Sequence, residues 1–163
     1  MQVKIQNIPN NLDEFKSLAE MGITKPENTC VLLLCALNLF DKNNDEGTAA
    51  MNMLRGPKPL VPYDVQFLRD RLRGKSYLPK AYFEGATTEN GYTPAQPYVL
   101  NVLSDPRPQD EEGYLKVLLK TAGADSPRPV KLRKKGSTGE WFVWDYTSLL
   151  VGIRTPVSED PWA

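Results

Sequence analysis

The chain has 163 residues, 40% hydrophobic and 25% charged, the composition of an ordinary globular protein rather than a disordered or membrane-embedded one. Its 20 basic and 20 acidic residues cancel, which removes whole-molecule attraction to nucleic acid or anionic lipid and leaves only local patches. Histidine is absent, and with it go Ser-His-Asp and Cys-His nucleophile systems, the HExxH zinc site and imidazole acid–base chemistry within one chain.

The opening MQVKIQNIPNNLDEF has no apolar leader. The longest apolar run, Cys30 to Leu37, is far shorter than the roughly 20 residues that span a bilayer, so the expectation is a cytoplasmic protein with no membrane association. Asn11 with Glu14 forms a capping box ahead of Leu12, Phe15, Leu18 and Ala19, which predicts a short amphipathic helix ended by Gly22. Thr24 with Glu27 reads as a second capping box, and Pro26 suits the first turn that follows. From Cys30 to Phe40 the sequence is apolar nearly all round, so this helix should be buried on most sides and form the centre of the helical half. Cys30 and Cys35 within it point in different directions, which predicts two reduced core thiols.

The segment Asp41 to Asp45 imitates the start of an EF-hand loop, but Gly47 falls one place late and Asn52 stands where a bidentate Glu is required. A polar turn with Asp45 as helix cap is the reading instead. A third helix follows from about Glu46 to Arg55, closed by Gly56-Pro57, and a fourth opens near Pro62 and stops at Gly74 with Arg69, Asp70, Arg71 and Arg73 on a solvated face.

Beyond Gly74 helix formers give way to prolines, glycines and period-two alternation. The chain therefore divides into a helical subdomain, 1–75, and a β-rich subdomain, 76–163. Leu78 to Phe83 reads as an edge strand that tolerates Pro79, and 85–97 as a long loop of turn residues, of a length that is usually functional or mobile. Tyr98–Leu103, Tyr114–Thr121, Val130–Lys134 and Trp141–Tyr146 are the strands, the last two joined as a hairpin by residues 135–140. Thr147 to Ile153 suits a short closing helix and 155–163 an extended tail. The fold class is α+β, with a small antiparallel sheet or partly open barrel.

Gly136-Ser-Thr-Gly139 lacks the lysine and the strand-to-helix setting of a phosphate-binding loop and reads as the hairpin turn. Hydroxyls beside carboxylates, as at Ser104-Asp105, have no base to activate them and read as caps. No catalytic residue, metal site or cofactor is nominated. The strongest asymmetry lies between Gly113 and Tyr146, where Lys116, Lys120, Arg128, Lys131, Arg133, Lys134 and Lys135 face only Asp125, Glu140 and Asp145. With Leu115, Val117, Val130 and Leu132 turned inward, Lys116, Lys131 and Arg133 turn outward, beside either Phe142, Trp144 and Tyr146 or Trp141 and Val143. Cations interleaved with rings suit single-stranded nucleic acid, although alternating Lys and Leu is also how a half-exposed sheet ordinarily looks.

The segments Tyr82-Phe-Glu-Gly-Ala-Thr87, Glu89-Asn-Gly-Tyr-Thr-Pro94, Gly123-Ala-Asp-Ser-Pro-Arg-Pro129, Lys135-Gly-Ser-Thr-Gly-Glu-Trp-Phe142 and Ser158-Glu-Asp-Pro-Trp-Ala163 resemble an uncharacterised bacterial family of unknown function found in gut-type anaerobes. The resemblance covers roughly residues 60 to 163 and implies a bacterial, cytoplasmic origin. It carries no activity, cofactor or catalytic residue.

The function expected first is non-catalytic binding of a protein or peptide through the long loop with Tyr92, the aromatic strand with Trp141 and Trp144, and the tail with Trp162. Nucleic-acid binding through Lys116, Lys131, Arg133 and the neighbouring rings is the alternative. An enzyme using carboxylate, tyrosine or lysine chemistry comes third.

Overall fold

A helix that is apolar on every side must be covered on every side, and the architecture follows from that requirement. The structure, a computed structural model, describes residues 1–106 and 111–163. It contains helices α1 (Leu12–Ala19), α2 (Pro26–Lys42), α3 (Asn44–Arg55) and α4 (Pro62–Leu72), and strands β1 (Gln2–Ile5), β2 (Tyr98–Ser104), β3 (Tyr114–Leu119), β4 (Arg128–Lys134) and β5 (Trp141–Asp145). The strands form one antiparallel sheet in the order β1-β2-β3-β4-β5, curled into a half-barrel. The fold class is α+β, as the sequence predicts. No helix among the described residues is long and apolar enough to cross a membrane.

Every residue of α2 from Thr29 to Phe40 is buried. The helix touches α1, α3 and α4 as well as β1, β2 and β5. One apolar cluster runs from Val3 and Ile5 through α2 to Val117, Leu132, Val143 and Leu150, so helices and sheet pack around a common core. The closest approach is between α2 and α3, where a Cβ on Gly47 would overlap the backbone of Phe40. Only a glycine permits that packing.

Asn11 caps α1 as expected, its side chain accepting the Glu14 N–H at 2.8 Å. Four local expectations are corrected. The cap of α2 is Lys25, with no side-chain bond, rather than Thr24, and Pro26 alone supplies the start signal. The cap of α3 is Asn43 rather than Asp45, its amide oxygen accepting the N–H groups of Asp45 and Glu46 at 3.1 Å each. Leu78–Tyr82 is a 3-10 turn, with only Phe83 bridging to Leu100, because Pro79 has no N–H to give a ladder. The closing helix shrinks to a 3-10 turn at Thr147–Leu150. Strand β1 has no counterpart in the sequence reading; it pairs Val3 with Leu100 and Ile5 with Tyr98.

The long loop is heavily tied. Asn90 accepts the N–H groups of Thr87 and Thr93 at 2.9 and 3.0 Å and donates to the carbonyls of Gly85 and Thr93 at 2.8 and 3.2 Å. Tyr92, at φ 55° in the left-handed region, is fully buried, stacks on Tyr77 at 5.4 Å and donates its hydroxyl to the Arg154 carbonyl at 2.7 Å. Tyr92 is therefore packed in the core beneath the loop rather than displayed on its surface.

Candidate functional site

In β3, β4 and β5 the residues Val117, Leu119, Val130, Leu132 and Val143 are buried in the core cluster. The alternate positions face outward, and the register sets Tyr114 opposite Arg133, Lys116 opposite Lys131, and Arg133 opposite Phe142. Between Lys131 and Leu132 the pairing slips: Leu132 faces Val143 while Lys131 faces Asp145, so Trp144 is the extra residue of a β-bulge. The bulge carries the Trp144 ring onto Tyr114, edge to face, with centroids 5.4 Å apart.

Cations lie over both rings. The Arg133 guanidinium is 4.5 Å from the Tyr114 centroid and 5.4 Å from that of Trp144. Lys131 Nζ is 4.9 Å from Tyr114, and Lys58 Nζ, arriving from the turn after α3, is 4.4 Å from Trp144. Such pairs hold each ammonium or guanidinium in place while leaving its outer hydrogens free for a ligand.

The cluster opens into a groove of about 380 Å³ between β4, β5 and the turn that ends α3. Its cations are Arg55, Lys58, Arg133, Lys134 and Lys135, its floor includes Phe142 and Trp144, and no Asp or Glu among the described residues lines it. Gly56, at φ 61°, makes the turn, and a Cβ there would come within 3.0 Å of the Phe142 ring. Removing the side chain at that position is what lets the α3 terminus lie against the strand.

Arg55 is the buried member, 7% exposed. Its Nη1 donates to the Trp144 carbonyl at 2.8 Å and reaches that of Val143 at 3.5 Å. Its Nε has no hydrogen-bond partner, and no carboxylate among the described residues is within ion-pair distance. Asp64 and Asp145 line an adjoining cleft together with Arg55, Tyr146 and Trp144. Asp64 accepts the Val61 N–H at 2.9 Å, and Asp145 accepts the Thr147 N–H and hydroxyl at 3.0 and 2.9 Å. Burial, then the Asp64 charge, pushes the Tyr146 hydroxyl up to about 12.

The edge of β5 turned away from β4 is covered. The Trp141 N–H donates to the Ile23 carbonyl at 2.7 Å, the Thr29 hydroxyl donates to the Trp141 carbonyl at 2.8 Å, and Arg55 takes the carbonyls that follow.

Of the residues singled out by sequence, Lys131, Arg133 and Trp144 come together. Lys116 lies on the same face and pairs with Asp105 at 3.4 Å. Trp141 packs against the core, its ring 5.7 Å from Lys134 Nζ. Trp162 stands apart, 92% exposed on a tail turn closed by the Asp160 carboxylate accepting the Trp162 N–H at 2.8 Å. Sequence reading missed Arg55, Lys58 and Tyr114. Arg55-Gly-Pro-Lys58 registers in sequence only as a helix stop, although two cations flanking a turn were visible there.

A family profile described as a domain of unknown function (DUF6935) matches residues 7–157. Comparison with curated proteins and with solved structures gives no match.

Proposed function

Since the chain belongs to the family described as a domain of unknown function (DUF6935), we propose a function from the groove itself: the protein binds single-stranded nucleic acid across the outer face of β3, β4 and β5. The observation that carries this reading is one groove with five cations, two aromatic side chains on its floor and no carboxylate among the described residues. In a chain of zero net charge such segregation needs a reason. Backbone phosphates meet Lys58, Arg133, Lys134 and Lys135, while bases stack on Trp144 and Tyr114, each stacked base contributing about 1–3 kcal/mol.

The test is titration of an oligothymidylate into the protein at rising salt, with the matching duplex as competitor. Log affinity should fall linearly with log salt, at about 0.7 per phosphate neutralised, and Arg133→Ala should lower both affinity and slope. Affinity indifferent to salt sinks the reading.

The solvated indole of Trp162 supports a second reading, a protein partner docked on the tail. Trp162→Ala should then weaken capture of that partner and leave oligonucleotide affinity and thermal stability unchanged.

A further inference from the structure

We infer that the Arg55 end of the groove is a built site for one phosphate carrying a flat ring, a nucleotide either free or at the phosphorylated end of a strand; this rests on the nucleic-acid reading above and narrows it. Three observations converge. Arg55 is 7% exposed, lines the groove, and has an Nε with no partner. The groups it does bond are the carbonyls of Val143 and Trp144, and its Cζ lies 5.7 Å from the centre of the Tyr146 ring. They orient the guanidinium and leave it without an ion-pair partner among the described residues in a buried place, which is costly until an anion arrives. Arginine in particular offers a planar fork that matches phosphate oxygens.

The second observation is size. At about 380 Å³ the groove is at the small end of ligand pockets and holds one nucleotide-sized unit rather than a run of them. The third is composition: Lys58 and Lys134 flank Arg55, while Phe142 and Trp144 supply apolar ring faces next to the cations. A bare anion leaves those faces unused, and a bare ring leaves the charge unused. A phosphomonoester of a nucleoside satisfies both.

The experiment measures binding calorimetrically for thymidine, inorganic phosphate, thymidine monophosphate, and an oligothymidylate with and without a terminal phosphate. The monophosphate should bind and raise the thermal midpoint, thymidine should not bind, and phosphate alone should bind on the order of tenfold more weakly than the monophosphate. A terminal phosphate should tighten the oligonucleotide by a similar factor. Lys58→Ala and Lys134→Ala, both at exposed positions, should each abolish most of that gain, which keeps the test open where Arg55→Met fails to fold. Equal affinity for both oligonucleotides, with no binding of the monophosphate, overturns the phosphate site and leaves the strand-binding reading standing. Binding of the monophosphate but of neither oligonucleotide upholds the site and overturns the strand reading.

Discussion

Arg55 is where structure and chemistry meet most tightly, since one side chain both seals the edge of β5 and supplies a charge with no ion-pair partner among the described residues. Replacing it by methionine leaves the Trp144 carbonyl without its donor but also removes a buried charge, so urea denaturation should show a loss smaller than the ~1–3 kcal/mol of the orphaned carbonyl alone. The two thiols carry the opposite lesson. Burial pushes Cys35 up to about 12 and Cys30 higher still, with the Glu27 charge adding to the effect at Cys30. Neither should react with an aromatic disulfide reagent near neutral pH until the chain unfolds, when both should react together. Tyr146 gives a pH signature. Its hydroxyl is held up to about 12 in the fold against roughly 10 when unfolded, so the unfolded chain loses that proton first. Stability should therefore be unaffected by this group below about pH 10 and decline as pH rises beyond it, which thermal melts across the alkaline range would record.

At the scale of elements, Gly47 makes a sharp prediction. A methyl group there meets the main chain of Phe40, which cannot swing aside as a side chain can, so Gly47→Ala should cost about 3 kcal/mol or more despite its gain in helix propensity. An unchanged denaturation midpoint would show that α2 and α3 separate more easily than their packing implies. The elements also show what sequence can and cannot convey. Helices α1 to α4 and strands β2 to β5 were legible because capping residues, apolar stripes and period-two alternation are local signals. Strand β1 was not, because its four residues acquire meaning only from Gln2 to Ile5 meeting Tyr98 to Asn101 at the far end of the chain. Leu78 to Phe83 misled for the converse reason: a short apolar stretch suits a strand and a 3-10 turn equally, and Pro79 decided against the ladder.

For the molecule as a whole, the common core predicts cooperative behaviour. Helix α2 packs on β1, β2 and β5 as well as on its helical neighbours, so unfolding followed by tryptophan fluorescence and by far-ultraviolet circular dichroism should give coincident transitions. Two separated transitions would mean that helices and sheet fold as independent units. The candidate site was half legible at this scale. Lys131, Arg133 and Trp144 follow from alternation along neighbouring strands, whereas Arg55 and Lys58 enter from a helix end whose position depends on the whole fold. Tyr92 shows the reverse failure, since an aromatic in a loop of turn residues suggests display, yet here it is the plug that fixes the loop.

The covering of β5 reaches beyond the groove. An extended peptide commonly attaches to a sheet by lying alongside an outer strand and continuing its hydrogen-bond ladder. Ile23, Thr29 and Arg55 already occupy the main-chain groups of Trp141, Val143 and Trp144 that such a guest would need. The same occupancy blunts stacking of one copy onto another through this strand, the usual route to fibrous aggregates. Recognition at this end of the sheet is thereby restricted to side chains, and a ligand is selected by its charge and its rings rather than by its backbone.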